Sequence, residues 1–168
     1  YKACVDSESQ EFLQGSVGAG TGATVGKTSR FFDSCKGGIG SSSRLIQGGI
    51  IVGSLIAVNS VGSVHDPASG KLIAGPRNQN GVMISAEEDL VNSRTTEKGS
   101  NSFNTTIGVI ATNARLTKGQ ASRLATSCHD GKALTVRPAH LTGDGDAIFS
   151  LAANHDSDDG IDLSGSFH

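Results

Sequence analysis

Two hydroxyl residues, Thr105 and Thr106, stand at the mouth of an apolar run, Ile107-Gly108-Val109-Ile110-Ala111-Thr112, directly behind a polar segment that ends at Asn104. Both are ordinary strand formers, and that is their plainest reading. A chemical reading exists beside it. If the Asn104–Thr105 bond is cut, Thr105 gains an α-amine with a reference pKa of about 7.7–8.0. That amine can take the proton of its own Oγ as the oxygen attacks a carbonyl. One residue then supplies both nucleophile and base. This suits a chain whose five histidines are dispersed and show no hydrolase-triad spacing. The same hydroxyl could cut its own upstream peptide by an N-to-O acyl shift, with water releasing the ester.

Three further features could serve such a centre. Lys27 follows the glycine-rich stretch 18–26, which could hold its ammonium where negative charge develops; a solvated surface lysine is the alternative. The stretch misses the phosphate-loop spacing by one residue, because Thr21 stands where the first glycine is required, so nucleotide hydrolysis is disfavoured. Asn59 closes the apolar run 50–58, where its amide could donate to an oxyanion or simply turn the chain. Asp144 and Asp146, one glycine apart, could converge on an amine or hydroxyl; Asp-Gly-Asp is also common loop chemistry and a weak cation site.

The elements that must position these residues are read from periodicity. The stretch 106–112 predicts a strand, and 147–153 another. Thr117 and Gln120 form a capping box, after which Ala121, Leu124, Ala125 and Cys128 fall on one helical face and Gly131 ends the helix. Residues 44–64 give two strands or one bent strand, whereas 36–43 read as a polar glycine-rich turn. Residues 72–84 read as loop with a short strand near 82–84, 1–16 as a weakly helical opening, and 154 onward as loop or frayed end. The polar segment 87–104 buries too little to hold itself in place, which would let a new upstream end move away from the site. Strands interleaved with helix make the class α/β or α+β, within a single domain over 1–168.

Composition narrows the function further. The chain has 168 residues, a net charge of −2, one Tyr, six Phe and no Trp, so there is no basic run with stacking aromatics and nucleic acid is not an expected partner. No apolar stretch approaches the roughly 20 residues of a membrane span. Cys4, Cys35 and Cys128 lack metal-ligand spacing and read as thiols of a reducing compartment, which predicts a cytoplasmic protein without metal or cofactor. Glycine is the outlier at 23 residues, too many for the average chain and without a collagen period, as when main chain lines a site.

In combination, GAGTGATVGK at 18–27, KGGIGS at 36–41, AVNSVG at 57–62, NTTIGVIATNA at 104–114 and DGD at 144–146 resemble the DmpA-like self-processing peptidases, most of all their nylon-oligomer hydrolase branch. That resemblance implies a four-layer αββα sandwich of the N-terminal-nucleophile type. It implies cleavage between Asn104 and Thr105 into parts 1–104 and 105–168, with Thr105 as nucleophile. Lys27 would activate it, Asn59 would contribute to the oxyanion site, and Asp146, supported by Asp144, would orient the amine or hydroxyl. The implied substrates are linear amides such as 6-aminohexanoate oligomers. Peptides with a free amino end and D-amino-acid amides are the aminopeptidase and amidase alternative, and a structural homologue without activity is a third reading. The implied partners are the chain's own cleaved upstream segment and further copies, in tetramers or larger rings. Against the family's usual length the chain is short on both sides of the nucleophile, so a piece of a longer protein is expected. The polar run 156–165 matches no element of the family.

Overall fold

The computed structural model describes residues 12–28, 33–92 and 104–153. The opening segment up to residue 11, most of the polar segment before Asn104 and the run 156–165 lie outside them.

Among the described residues nine strands and two α-helices are placed: β1 (Thr24–Val25), β2 (Cys35–Lys36), β3 (Gly38–Leu45), β4 (Ile51–Val58), β5 (Ser63–His65), β6 (Leu72–Ala74), α1 (Ala86–Asn92), β7 (Ile107–Thr112), α2 (Lys118–Thr135), β8 (Val136–Arg137) and β9 (Ala147–Ala152). The main sheet runs β3-β4-β7-β9, with a three-stranded sheet β6-β5-β8 and a β1-β2 pair beside it. β4 runs antiparallel to both β3 and β7, while β9 lies parallel to β7. Parallel neighbours require a crossover, and α2 supplies it.

The predicted helix starts as read. Thr117 accepts from the Gln120 N–H at 3.3 Å, and Gln120 Oε1 accepts from the Thr117 N–H at 2.8 Å. Its end differs: α2 passes through Gly131 and stops at Thr135. A single glycine costs a helix about 1 kcal/mol, less than continued packing against β9 and β8 returns. The stretch read as a polar turn at 36–43 instead belongs mostly to β3, an edge strand paired residue for residue with β4. Near 82–84 only an isolated bridge forms, between Arg77 and Met83; the short strand in that region is β6.

Register decides the two faces of the main sheet. Ser150, on the same face as Ile110 and Ile148, donates from Oγ to the Ala121 carbonyl of α2 at 2.6 Å, which marks the helix-covered face. The opposite face sets Leu55, Val109 and Phe149 in one row across three strands. It also carries Ile51, Ile107 and Leu151, and Phe149 is 64% exposed, so among the described residues this apolar face is uncovered. No helix of the described residues is long and apolar enough to cross a membrane.

The loop before β1 is tied to β3 through main chain. Gly15 and Ile39 exchange two backbone hydrogen bonds, at 2.8 and 2.9 Å, and a Cβ on Gly20 would lie 2.4 Å from both Gly15 O and Ile39 N. Only glycine allows that approach.

Candidate active site

Topology gathers the candidate residues before any side chain acts. Parallel pairing of β7 and β9 places their two entrances side by side, so Thr105 before β7 meets the 144–146 loop before β9. β4 runs the other way, which brings its exit and Asn59 to the same end. β3 begins opposite Val58, and the glycine-rich loop packs on β3 and completes the end.

The segment 104–106 is held on both sides by hydrogen bonds. The Thr105 N–H donates to the Asn59 carbonyl at 2.9 Å, and the Gly145 N–H donates to the Asn104 carbonyl at 2.9 Å. The Thr106 N–H donates to Asp146 Oδ1 at 2.9 Å, and the Ala147 N–H to the Thr106 carbonyl at 3.0 Å. Asn104 Oδ1 and Thr106 Oγ1 are buried and find no hydrogen-bond partner among the described residues, so these contacts, not those two side chains, fix the segment.

Thr105 and Asn59 face a cavity of about 230 Å³ whose other walls include Thr21, Gly22, Ala57 and Ile107. Asn59 Oδ1 accepts from Lys27 Nζ at 2.5 Å and from the Thr24 N–H at 3.1 Å. Oδ1 is thus the acceptor end of the amide, and an ammonium on it polarises the amide.

Burial pushes the Lys27 ammonium below the ordinary lysine range, with attraction to Asp144 acting in the opposite direction. The unfolded chain therefore keeps this proton to higher pH. While charged, Lys27 costs the folded state stability, and that cost is relieved as pH rises through its folded pKa toward the ordinary value. A ¹³Cε titration is expected to show Lys27 losing its proton at lower pH than a free lysine side chain. Asp144→Asn should lower that pKa further; an unchanged or raised value would contradict this account of the site's electrostatics.

Asp144 and Asp146 converge, but on a residue that sequence reasoning missed. Lys132, in the last turn of α2, sits with its side chain 5% exposed, bonded to Asp146 Oδ2 and 4.0 Å from Asp144 Oδ2. His140 Nδ1 also approaches Asp146 Oδ2, at 3.5 Å. Asp146 thus holds the residue after the nucleophile, and the group on the Thr105 nitrogen is the Asn59 main chain. Asp144 Oδ2 accepts from the Leu141 N–H at 3.0 Å, bracing the loop. A signal for Lys132 existed: it continues the stripe Ala121, Leu124, Cys128 by four residues once the helix is not ended at Gly131. A lysine on an apolar stripe calls for a buried carboxylate.

A sheet backed by a helix thus sets a threonine at a strand entrance with an amide–ammonium pair beside it. The chain belongs to peptidase family S58, whose model matches residues 1–164. It is 38% identical over 163 residues to an uncharacterized aminopeptidase of Mycobacterium tuberculosis, covering 90% of this chain and 43% of that protein. It is 30% identical over 151 residues to a 6-aminohexanoate-oligomer endohydrolase of Agromyces, covering 86% of this chain and 41% of that one. Among solved structures, the PH0078 protein of Pyrococcus horikoshii matches with a TM-score of 0.54 at 29% identity, over 86% of this chain and 34% of the other. The L-aminopeptidase D-Ala-esterase/amidase of Ochrobactrum anthropi, described as a variant of the Ntn hydrolase fold, matches with a TM-score of 0.53 at 22% identity, over 84% and 32%. The fold is therefore the αββα, α+β sandwich of that type. The chain spans less than half the length of the relatives it matches.

Proposed function

We propose that this chain carries the self-cleaving centre of an amide hydrolase with Thr105 as its nucleophile. The observation that carries the reading is Asn59. Its main-chain oxygen holds the Thr105 nitrogen, while its side-chain amide, polarised by Lys27, faces the same cavity as Thr105. In the first reaction Thr105 Oγ attacks the Asn104 carbonyl carbon, the C–N bond breaks with its proton going to the nitrogen, and water hydrolyses the ester. The α-amine so formed stays on the Asn59 oxygen. In the second, that amine takes the Oγ proton as Oγ attacks a substrate amide, and Asn59 Nδ2 donates to the oxyanion. The α-ammonium then protonates the leaving amine, and water frees the acyl group. Asp146, with Asp144 and Lys132, keeps Thr106 and hence the nucleophile in register.

For the substrate, linear amide oligomers such as those of 6-aminohexanoate are the first reading, supported by the threonine nucleophile position and by the Agromyces likeness. Aminopeptidase action is the second, supported by the higher identity to the mycobacterial protein. Assembly into a tetramer or larger ring belongs to the same proposal. Intact mass after expression should show a fragment beginning at Thr105; a chain that stays uncut speaks against the reading. The cut protein is expected to turn over 6-aminohexanoate oligomers faster than aminoacyl-p-nitroanilides, and the reverse ratio assigns it to the aminopeptidases.

A further inference from the structure

The geometry points to the main-chain N–H of Gly145 as the oxyanion donor of self-cleavage, with glycine at 145 because the hydroxyl of Thr105 fills the space a side chain would take. This rests on the Thr105 reading above and assigns a group within it.

The carbonyl that must be attacked is that of Asn104, and its oxygen already receives the Gly145 N–H at 2.9 Å. When Thr105 Oγ bonds to the Asn104 carbon, the carbonyl π-pair moves onto this oxygen, so negative charge develops where the donor is aimed. Collapse of the adduct breaks the C–N bond and returns the pair to the carbonyl. A donor fixed in advance stabilises the charged adduct more than the neutral peptide, which is how such groups raise rate. Asn59 Nδ2 serves the later substrate; the scissile peptide itself is served from the opposite side, by the loop before β9.

The donor is held in place from several directions. The Asp144 N–H donates to the Leu141 carbonyl at 2.9 Å, closing the turn that leads into Gly145. One residue on, Asp146 grips the Thr106 N–H, and Ala147 then joins the β7 ladder. Donor and carbonyl are therefore anchored to the same two strands and cannot drift apart independently.

The steric half is independent of the hydrogen bond. A Cβ on Gly145 would stand 2.7 Å from Thr105 Oγ1 and 3.7 Å from both the Asn104 oxygen and Thr105 Cβ. A methyl group there meets the hydroxyl of the nucleophile itself, so even alanine forces that hydroxyl to shift.

Two measurements test the assignment. In the uncut Thr105→Ala chain, a long-range HNCO spectrum should show a through-hydrogen-bond coupling between the Gly145 nitrogen and the Asn104 carbonyl carbon; its absence with both resonances assigned overturns the inference. In the full-length chain assembled by ligation at Cys128, glycolic acid at 145 replaces the N–H by an ester oxygen and adds no bulk. Self-cleavage should then slow by about 10²–10³-fold, and Gly145→Ala should slow it too. If the native chain cuts and the ester chain cuts equally fast, the Gly145 assignment falls while the Thr105 reading stands. If the native chain does not cut at all, both fall together.

Discussion

With alanine at position 105, the chain is expected to stay in one piece and to lose amide hydrolysis by at least about 10⁴-fold, the scale on which removing a covalent nucleophile acts. The substitution is mild for the fold. Thr105 is half-buried, and its backbone N–H, which alanine retains, makes the contact with Asn59. Loss of both reactions from a folded chain would therefore report chemistry and not collapse. Thr105→Ser keeps a hydroxyl on the same backbone and should retain both reactions. Mass spectrometry distinguishes a single species from the pair 1–104 and 105–168, and release of amine from an amide substrate measures the second reaction. Hydrolysis that survives Thr105→Ala removes the nucleophile assignment.

Lys132→Met should be a strongly destabilising single change. The side chains of Lys132, Asp144 and Asp146 are only 5–6% exposed, so the substitution strands buried carboxylates without their cation. Breaking a buried pair from one side costs about 3–5 kcal/mol. Urea unfolding should show a midpoint lowered accordingly. Adding Asp146→Asn to Lys132→Met should recover part of the loss, since a neutral amide needs no counter-charge and its oxygen still accepts from Thr106. A double variant no more stable than the single one would mean that the two groups are not coupled. Self-cleavage should also slow in Lys132→Met, because Asp146 would no longer be steadied where it grips the segment behind the nucleophile.

What sequence could show here depended on whether an element carried its own pattern. The strand entering at Thr106, the capping box at Thr117 and the strand before residue 153 all had one, and the structure has elements there. So did the loop residues Lys27, Asn59, Asp144 and Asp146, which the fold brings to one end of the main sheet. β3 had none: Gly-Ile-Gly-Ser-Ser-Ser-Arg-Leu is polar and glycine-rich, and it becomes a strand only because β4 offers a full ladder to pair with. The strands of the smaller sheet are two or three residues long, too short for any period to be read. Lys132 was hidden by one local judgement, that glycine at 131 ends a helix, when tertiary packing carries the helix a turn further. Asp146 was expected to orient the amine or the hydroxyl of Thr105. Spacing alone cannot say which of three consecutive peptide groups a carboxylate will reach, and in the structure it reaches the one after Thr105.

The close approach at Gly20 has a consequence for how such a protein can change over generations. At Gly15 and Gly20 the loop behind the cavity meets β3 as backbone against backbone, so these two positions offer no side chain for mutation to vary, and replacement of Gly20 is penalised at once. Heritable shifts in substrate preference must then arise at the few positions that present a side chain to the cavity, such as Ala57 and Ile107. Gly20 is thus conservative ground, and diversification is left to the neighbours whose side chains reach the cavity, Thr21 in the loop and the strand ends beside Thr105.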